Sequence, residues 1–360
     1  MYIFFPIAEV SVNIFLLLGI GVGVGVLSGM LGVGGGFILT PILMMIGIPP
    51  LISVATATNQ FVASAAAGTV FHLRAGNVNI RLGILLLAGG LVGSTLGIRV
   101  VLYLEEIGNF EFVVKGLYVL LLGSIGILML TESLRSGKID DSIPEISEFE
   151  SKSTLTKIIE NMPFKMNFPL MRIRASVIIP LIAGFIVGGL TSIMGVGGGF
   201  IMMPILVYLL GVPTLVAVGT SLFQVMIIST YVTIQQAVVN NSVDLPLAMI
   251  LAIGSVIGVQ FGGKLSQRIK SHHIRIILAA LLILVTVVMV IDILSPEEKI
   301  SQSSEINIAN TAQVFNSFNS AVLSASREHA LIYGFTCTVL ALIIGVGVSV
   351  IFHSSKSKNK

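Results

Sequence analysis

Two glycine clusters, Gly32-Val-Gly-Gly-Gly36 and Gly195-Val-Gly-Gly-Gly199, each open a short apolar stretch that ends near a Gly-x-Pro. Without side chains, such a stretch lets a ligand approach its peptide N–H groups and allows positive φ. A helix that starts there offers several unpaired donors and roughly half a positive charge. Two such starts facing each other would form an anion site without any Lys or Arg. The candidate ligands are the backbone N–H groups of Gly34, Gly35, Gly36, Gly197, Gly198 and Gly199. Ser28, Thr191, Thr40, Thr56, Thr220, Gln60 and Gln224 stand nearby as neutral donors. Close helix packing is the competing use of glycine in membranes. The triple glycines favour a ligand, because both copies sit at a helix start. Gly89, Gly93, Gly97 and Gly254, Gly258, Gly262 favour packing, because they form small-residue stripes inside long runs. Gln60 and Gln224 serve a ligand or a neighbouring helix equally well, and His72 reads as interfacial.

The clusters belong to a duplication. Leu27-Ser-Gly-Met-Leu-Gly-Val-Gly-Gly-Gly-Phe-Ile-Leu-Thr-Pro-Ile-Leu43 matches Leu190-Thr-Ser-Ile-Met-Gly-Val-Gly-Gly-Gly-Phe-Ile-Met-Met-Pro-Ile-Leu206. The match continues through Gly47-Ile-Pro49 and Gly211-Val-Pro213, then Thr56 and Gln60 against Thr220 and Gln224. The halves span 11–131 and 176–294.

Composition says what surrounds them. The 360 residues are 55% hydrophobic and 10% charged, where soluble proteins average about 25% charged. Mean hydropathy is +1.02. An ordinary soluble globule and a disordered chain are both excluded. The length has room for about eight to ten membrane helices. A net charge of +3 gives no support for nucleic-acid binding. The single cysteine, Cys337, excludes an intrachain disulfide and a CxxC site.

Apolar runs fall at 11–31, 37–48, 51–72, 82–104, 110–131, 176–194, 200–211, 214–237, 245–265, 274–294 and 330–352. The runs at 37–48 and 200–211 reach only about 18 Å as helices, too short to cross a bilayer core. Residues 132–175 read as a polar cytoplasmic linker and 295–329 as a Ser/Asn-rich extracellular loop. The run at 330–352 is an extra transmembrane helix, followed by a basic tail at 353–360. The fold class is therefore an all-α polytopic membrane protein of two homologous halves with paired short Gly/Pro-interrupted helices. Loop charge sets their orientation, since Lys and Arg favour the cytoplasm. His72, Arg74 and Arg81 flank one loop of the first half, whereas the matching loop, 238–244, has only Asp244. Conversely, Glu105, Glu106 and Glu111 flank a loop whose counterpart carries Lys264, Arg268, Lys270 and Arg275. Corresponding loops prefer opposite sides, which is the pattern of inverted repeats.

No GxxxxGK[ST], HExxH or βαβ dinucleotide fingerprint is present, so the chain is not read as an enzyme, and neither cofactor nor metal is expected. No Asp or Glu lies deep in a repeat span, which argues against the usual carboxylate route for proton coupling.

The doubled Gly-Val-Gly-Gly-Gly-Phe-Ile-x-x-Pro motif resembles the sulfite exporter TauE/SafE family of membrane permeases. So do the Ser28 or Thr191 segments before it and the Ala/Gly-Thr-x-x-x-Gln runs after it. The resemblance covers 11–294. It implies a secondary transporter exporting sulfite or an organosulfonate, with the glycine motifs, Pro41 and Pro204 lining the site. The extension at 295–352 departs from the family's length. The expected function is alternating-access export of a small anion across the cell membrane. The alternatives are an anion channel and a non-transporting membrane scaffold. The expected partners are a small anionic solute and membrane lipid, and a homo-oligomer is compatible with both.

Overall fold

The computed structural model describes residues 2–31, 36–136, 165–167, 174–206, 210–266, 271–294 and 322–357. Gly34, Gly35 and most of the polar segments lie outside them. The first half comprises α1 (Ile14–Leu31), α2 (Gly36–Met45), α3 (Pro50–Arg74), α4 (Ile80–Glu106) and α5 (Phe110–Ser136). The second repeats it as α6 (Ile178–Met194), α7 (Gly199–Pro204), α8 (Thr214–Asn240), α9 (Leu245–Ser266) and α10 (Ser271–Leu294). The extra helix α11 (Ala330–Ser357) runs five residues past its expected end. Among the described residues, α4 and large parts of α5, α8, α9 and α11 are long and apolar enough to cross a membrane. Their outward faces carry Ile84, Val92, Leu96, Leu120, Phe335 and Ile343. Exposed apolar side chains in such density are solvated by lipid rather than by water.

Two hairpins depart from the all-helical expectation. β1 (Tyr2–Phe5) pairs antiparallel with β2 (Val10–Asn13) just before α1, so residues 11–13 are strand rather than helix. Val10 and Val12 alternate with Ser11 and Asn13, a strand pattern. Asn13 then takes the N–H of Phe15 on its Oδ1 at 3.0 Å and starts the helix. β3 (Lys165–Asn167) and β4 (Arg174–Ser176) stand in the same place before α6. The duplication therefore begins earlier than its apolar runs.

The halves exchange helices. α1 packs along α9, and its counterpart α6 packs along α4, the counterpart of α9. α3 packs on its own counterpart α8, and α5 on its counterpart α10. The correspondence extends to atoms. A methyl on Gly21 would strike the Leu251 carbonyl, and one on the matching Gly184 would strike the matching Leu86 carbonyl. Gly25 meets Ser255 as Gly188 meets Gly90. Gly254 and Gly258 meet Leu18 and Val22, as Gly89 and Gly93 meet Leu181 and Phe185. The small-residue stripes are packing surfaces, as the sequence indicates, and Gly21, Gly25, Gly184 and Gly188 complete them from the facing helices. The missing side chains let the backbones touch, which is how membrane helices associate tightly.

These contacts also give direction. Along α1 and α9, and along α4 and α6, residue numbers rise together. Along α3 and α8 they run oppositely: Gly68 meets Leu222, and His72 meets Gly219. α5 and α10 do the same, with Gly123 against Thr286 and Gly126 against Leu282. Lys115 of α5 lies beside Asp292 of α10 and 2.8 Å from Glu111, so an ion pair joins the halves.

The packing predicts a sharp contrast within one helix. Gly23→Val should cost little, since nothing lies within 4 Å of its Cβ position, whereas Gly25→Val drives a side chain into the backbone of Ser255. Overpacking of a side chain costs about 1–3 kcal/mol, and more against backbone. The fraction of monodisperse protein after detergent extraction should be near the parent for Gly23→Val and collapse for Gly25→Val.

Candidate functional site

α3 is unlike the lipid-facing helices. Residues 53–67 are buried without a break, and the run contains Thr56, Thr58, Asn59, Gln60 and Ser64. A helix buried all round and this polar lies inside the bundle. α2 is buried from Gly36 to Pro41.

Phe61, fully buried on α3, joins the two motifs. Its ring lies where a Cβ of Gly36 would be, and it also approaches within 3.4 Å of the Cβ position of Gly197. Val225 of α8, the counterpart of Phe61, approaches Gly197 from the other side at 3.2 Å. The two glycine motifs thus flank the α3–α8 contact, next to the residues that follow Gln60 and Gln224. Gly195, Gly197 and Gly198 have φ of 69°, 69° and 67°. This left-handed run is open to glycine and strained for L side chains. It turns the chain from the end of α6 to the start of α7.

A profile of the sulfite exporter TauE/SafE family matches residues 17–289. The chain belongs to this family. The probable membrane transporter protein YjnA of Bacillus subtilis is 28% identical over 258 residues, covering 71% of this chain and 92% of that protein. A probable membrane transporter protein of Methanocaldococcus jannaschii is 27% identical over 272 residues, covering 71% and 88%. A third, from Xylella fastidiosa, is 25% identical over 249 residues, covering 68% and 82%. No solved structure matches the chain. The protein is a membrane transporter of the TauE/SafE type and not an enzyme.

In this TauE/SafE chain the candidate side chains divide into satisfied and unsatisfied groups. Thr191 donates to the Val187 carbonyl at 2.7 Å, and its hydroxyl stands 3.4 Å from the Cβ position of Gly198. Ser28 is buried on α1. Thr220 accepts the Asn79 N–H at 3.0 Å, so it braces the start of α4. The matching hydroxyl, Thr56 Oγ1, is buried with no partner. Gln60 donates to the Ser255 hydroxyl, and its Oε1 has no partner. Gln224 is fully buried with neither amide atom partnered.

The duplication explains the orphaned amide. Gln60 and Gln224 occupy matching positions, but Ser255 is matched by Gly90, which has no hydroxyl. Leaving one buried polar group unpaired costs about 1–3 kcal/mol. Such a cost is tolerated where a ligand completes the bonds. Gly36 opens a ten-residue helix whose start meets the ring of Phe61, the residue after Gln60. α7 has only six residues and contributes little dipole. Sequence reasoning did not single out Asn59, whose buried Nδ2 has no partner. Its adjacency to Gln60 was the available signal.

Proposed function

We propose that the protein is a multi-pass cell-membrane permease that exports a small anion, sulfite or an organosulfonate, by alternating access between inverted halves. The fully buried, unpartnered amide of Gln224 carries this reading. With Thr56, Asn59 and Gln60 it supplies neutral donors at the contact between the halves. Neutral donors suit an anion that must leave again, and no Lys or Arg is buried among the described residues to hold it. The inverted arrangement is supported by the opposed directions of α3 against α8 and of α5 against α10. Equivalent helices run oppositely when their two-fold axis lies in the membrane plane. The two ends of the contact also differ. Thr220 holds the backbone of Asn79, whereas the hydroxyl of its counterpart Thr56 has no partner. A transporter caught in one of two alternating states has this asymmetry.

Flux in proteoliposomes tests the reading. Labelled sulfite should move saturably, faster than sulfate, with thiosulfate and a small sulfonate measured alongside, with and without a pH gradient. Non-saturating flux would favour a channel, and no flux of any of these anions from folded protein would favour a scaffold.

A further inference from the structure

Asp244 is fully buried, although the sequence places it in a loop. Its Oδ1 accepts the Leu247 N–H at 3.2 Å and caps α9. Asn79 caps α4 in the matching way, accepting the Leu82 N–H at 3.2 Å. An amide therefore suffices for the cap, and asparagine caps about as well as aspartate. The second carboxyl oxygen, which asparagine lacks, has another use: Oδ2 accepts the N–H groups of Ile7 and Ala8, at 3.0 and 3.2 Å. Both belong to the turn of the β1–β2 hairpin. Ile7 packs against a cluster that includes Ala55 of α3, Ala237 of α8, Val243 and Tyr333 of α11. Phe5 and Ala8 are buried below the hairpin. Tyr333 completes the anchorage, donating to the Val243 carbonyl at 3.0 Å and accepting the Leu245 N–H at 3.1 Å. Ala55 immediately precedes Thr56 and lies about 8 Å along the helix axis from Gln60.

We infer that the N-terminal hairpin is a gate over the outer end of the α3–α8 contact, and that the acceptor oxygen Oδ2 of Asp244 is the latch that holds its turn in place. The inference rests on the site proposed between α3 and α8, and it assigns that site an access-controlling element. Opening swings the turn off Ala55 and returns two N–H groups and a carboxylate to water. The latch responds to pH. Burial pushes the Asp244 carboxyl above its ordinary range, against the lowering effect of the N–H groups of Leu247, Ala8 and Ile7. A closed state that holds a proton more readily than a hydrated open one is favoured as pH falls, and the gate loosens as pH rises. The other ionisable groups facing this region are exposed Glu9 on the hairpin and Tyr333 and Cys337 on α11. Glu328 and His329 precede α11, while the adjoining ends of α3 and α8 contribute none.

The test needs no transported solute, so failure of the sulfite reading leaves it intact. Ala55→Cys is made in the full chain with Cys337→Ser, and intact cells are treated with a membrane-impermeant maleimide. The cysteine should be protected in the parent. It should label about tenfold faster or more with Asp244→Asn, which keeps the α9 cap, and with Ile7→Ser, which leaves the carboxylate alone. Parent labelling should rise from about pH 5 to about pH 8, and Asp244→Asn should lose that dependence. Rates within twofold of the parent in both variants, or a parent labelled as fast as Val239→Cys at the exposed end of α8, would overturn the gate. A parent rate independent of pH would overturn the latch.

Discussion

Gln224→Leu is expected to make the protein more stable and to stop it transporting. Both amide atoms of Gln224 are buried without partners, and each such group costs about 1–3 kcal/mol. Leucine has a similar volume and needs no hydrogen bond, so the substitution removes that cost without opening a cavity. Thermal unfolding in detergent should shift upward by at least about 3 °C. Saturable sulfite flux should fall by about two orders of magnitude or more if, as proposed, the lost donors are those that meet the solute. Stability gained together with activity lost is the signature of a strained functional residue. A purely structural glutamine would give the reverse, a lower melting temperature with transport reduced only in proportion to folded protein. Gln60→Leu should show a smaller stability gain, since it also gives up the bond to Ser255.

Gly198→Ala is expected to damage both properties. The φ of 67° at this position costs a side-chain-bearing residue about 1–3 kcal/mol. The new methyl also runs into Cγ1 of Val187. The second variant, Gly198→Ala with Val187→Ala, removes the collision and keeps the backbone strain. It should recover part of the melting temperature and none of the flux. That pattern would mean that transport depends on the backbone of the motif rather than on the space around it. A Gly198→Ala protein with parental melting temperature and flux would mean that the left-handed turn is not part of the working state.

Much of this architecture can be read in the sequence, because a duplication writes each signal twice. The paired glycine motifs, the two short helices, the packing stripes and the extra C-terminal helix all show in residue types and spacing. The hairpins do not, since in strands of three or four residues an alternation such as that of Val10–Asn13 is too short to stand out. Gly21, Gly25, Gly184 and Gly188 have the same four-residue spacing as the stripes they face, yet only the three-dimensional exchange of helices shows that they are partners. Asp244 reads as an ordinary loop acid until the hairpin is seen to cover it. The site itself is half legible. Gln60 and Gln224 are conspicuous as a pair, but their inequality depends on Ser255 and Gly90, which lie on other helices.

The proposed inversion of the two halves places both motifs at the α3–α8 contact, and single cysteines test it directly. Ala75→Cys lies in the exposed loop after α3, and Val239→Cys at the corresponding exposed end of α8. With Cys337 replaced by serine, intact cells exposed to an impermeant maleimide should label Val239→Cys and leave Ala75→Cys unlabelled until the membrane is opened. Labelling of both positions from the same side would make the halves parallel and would contradict a site formed by two motifs meeting at mid-membrane.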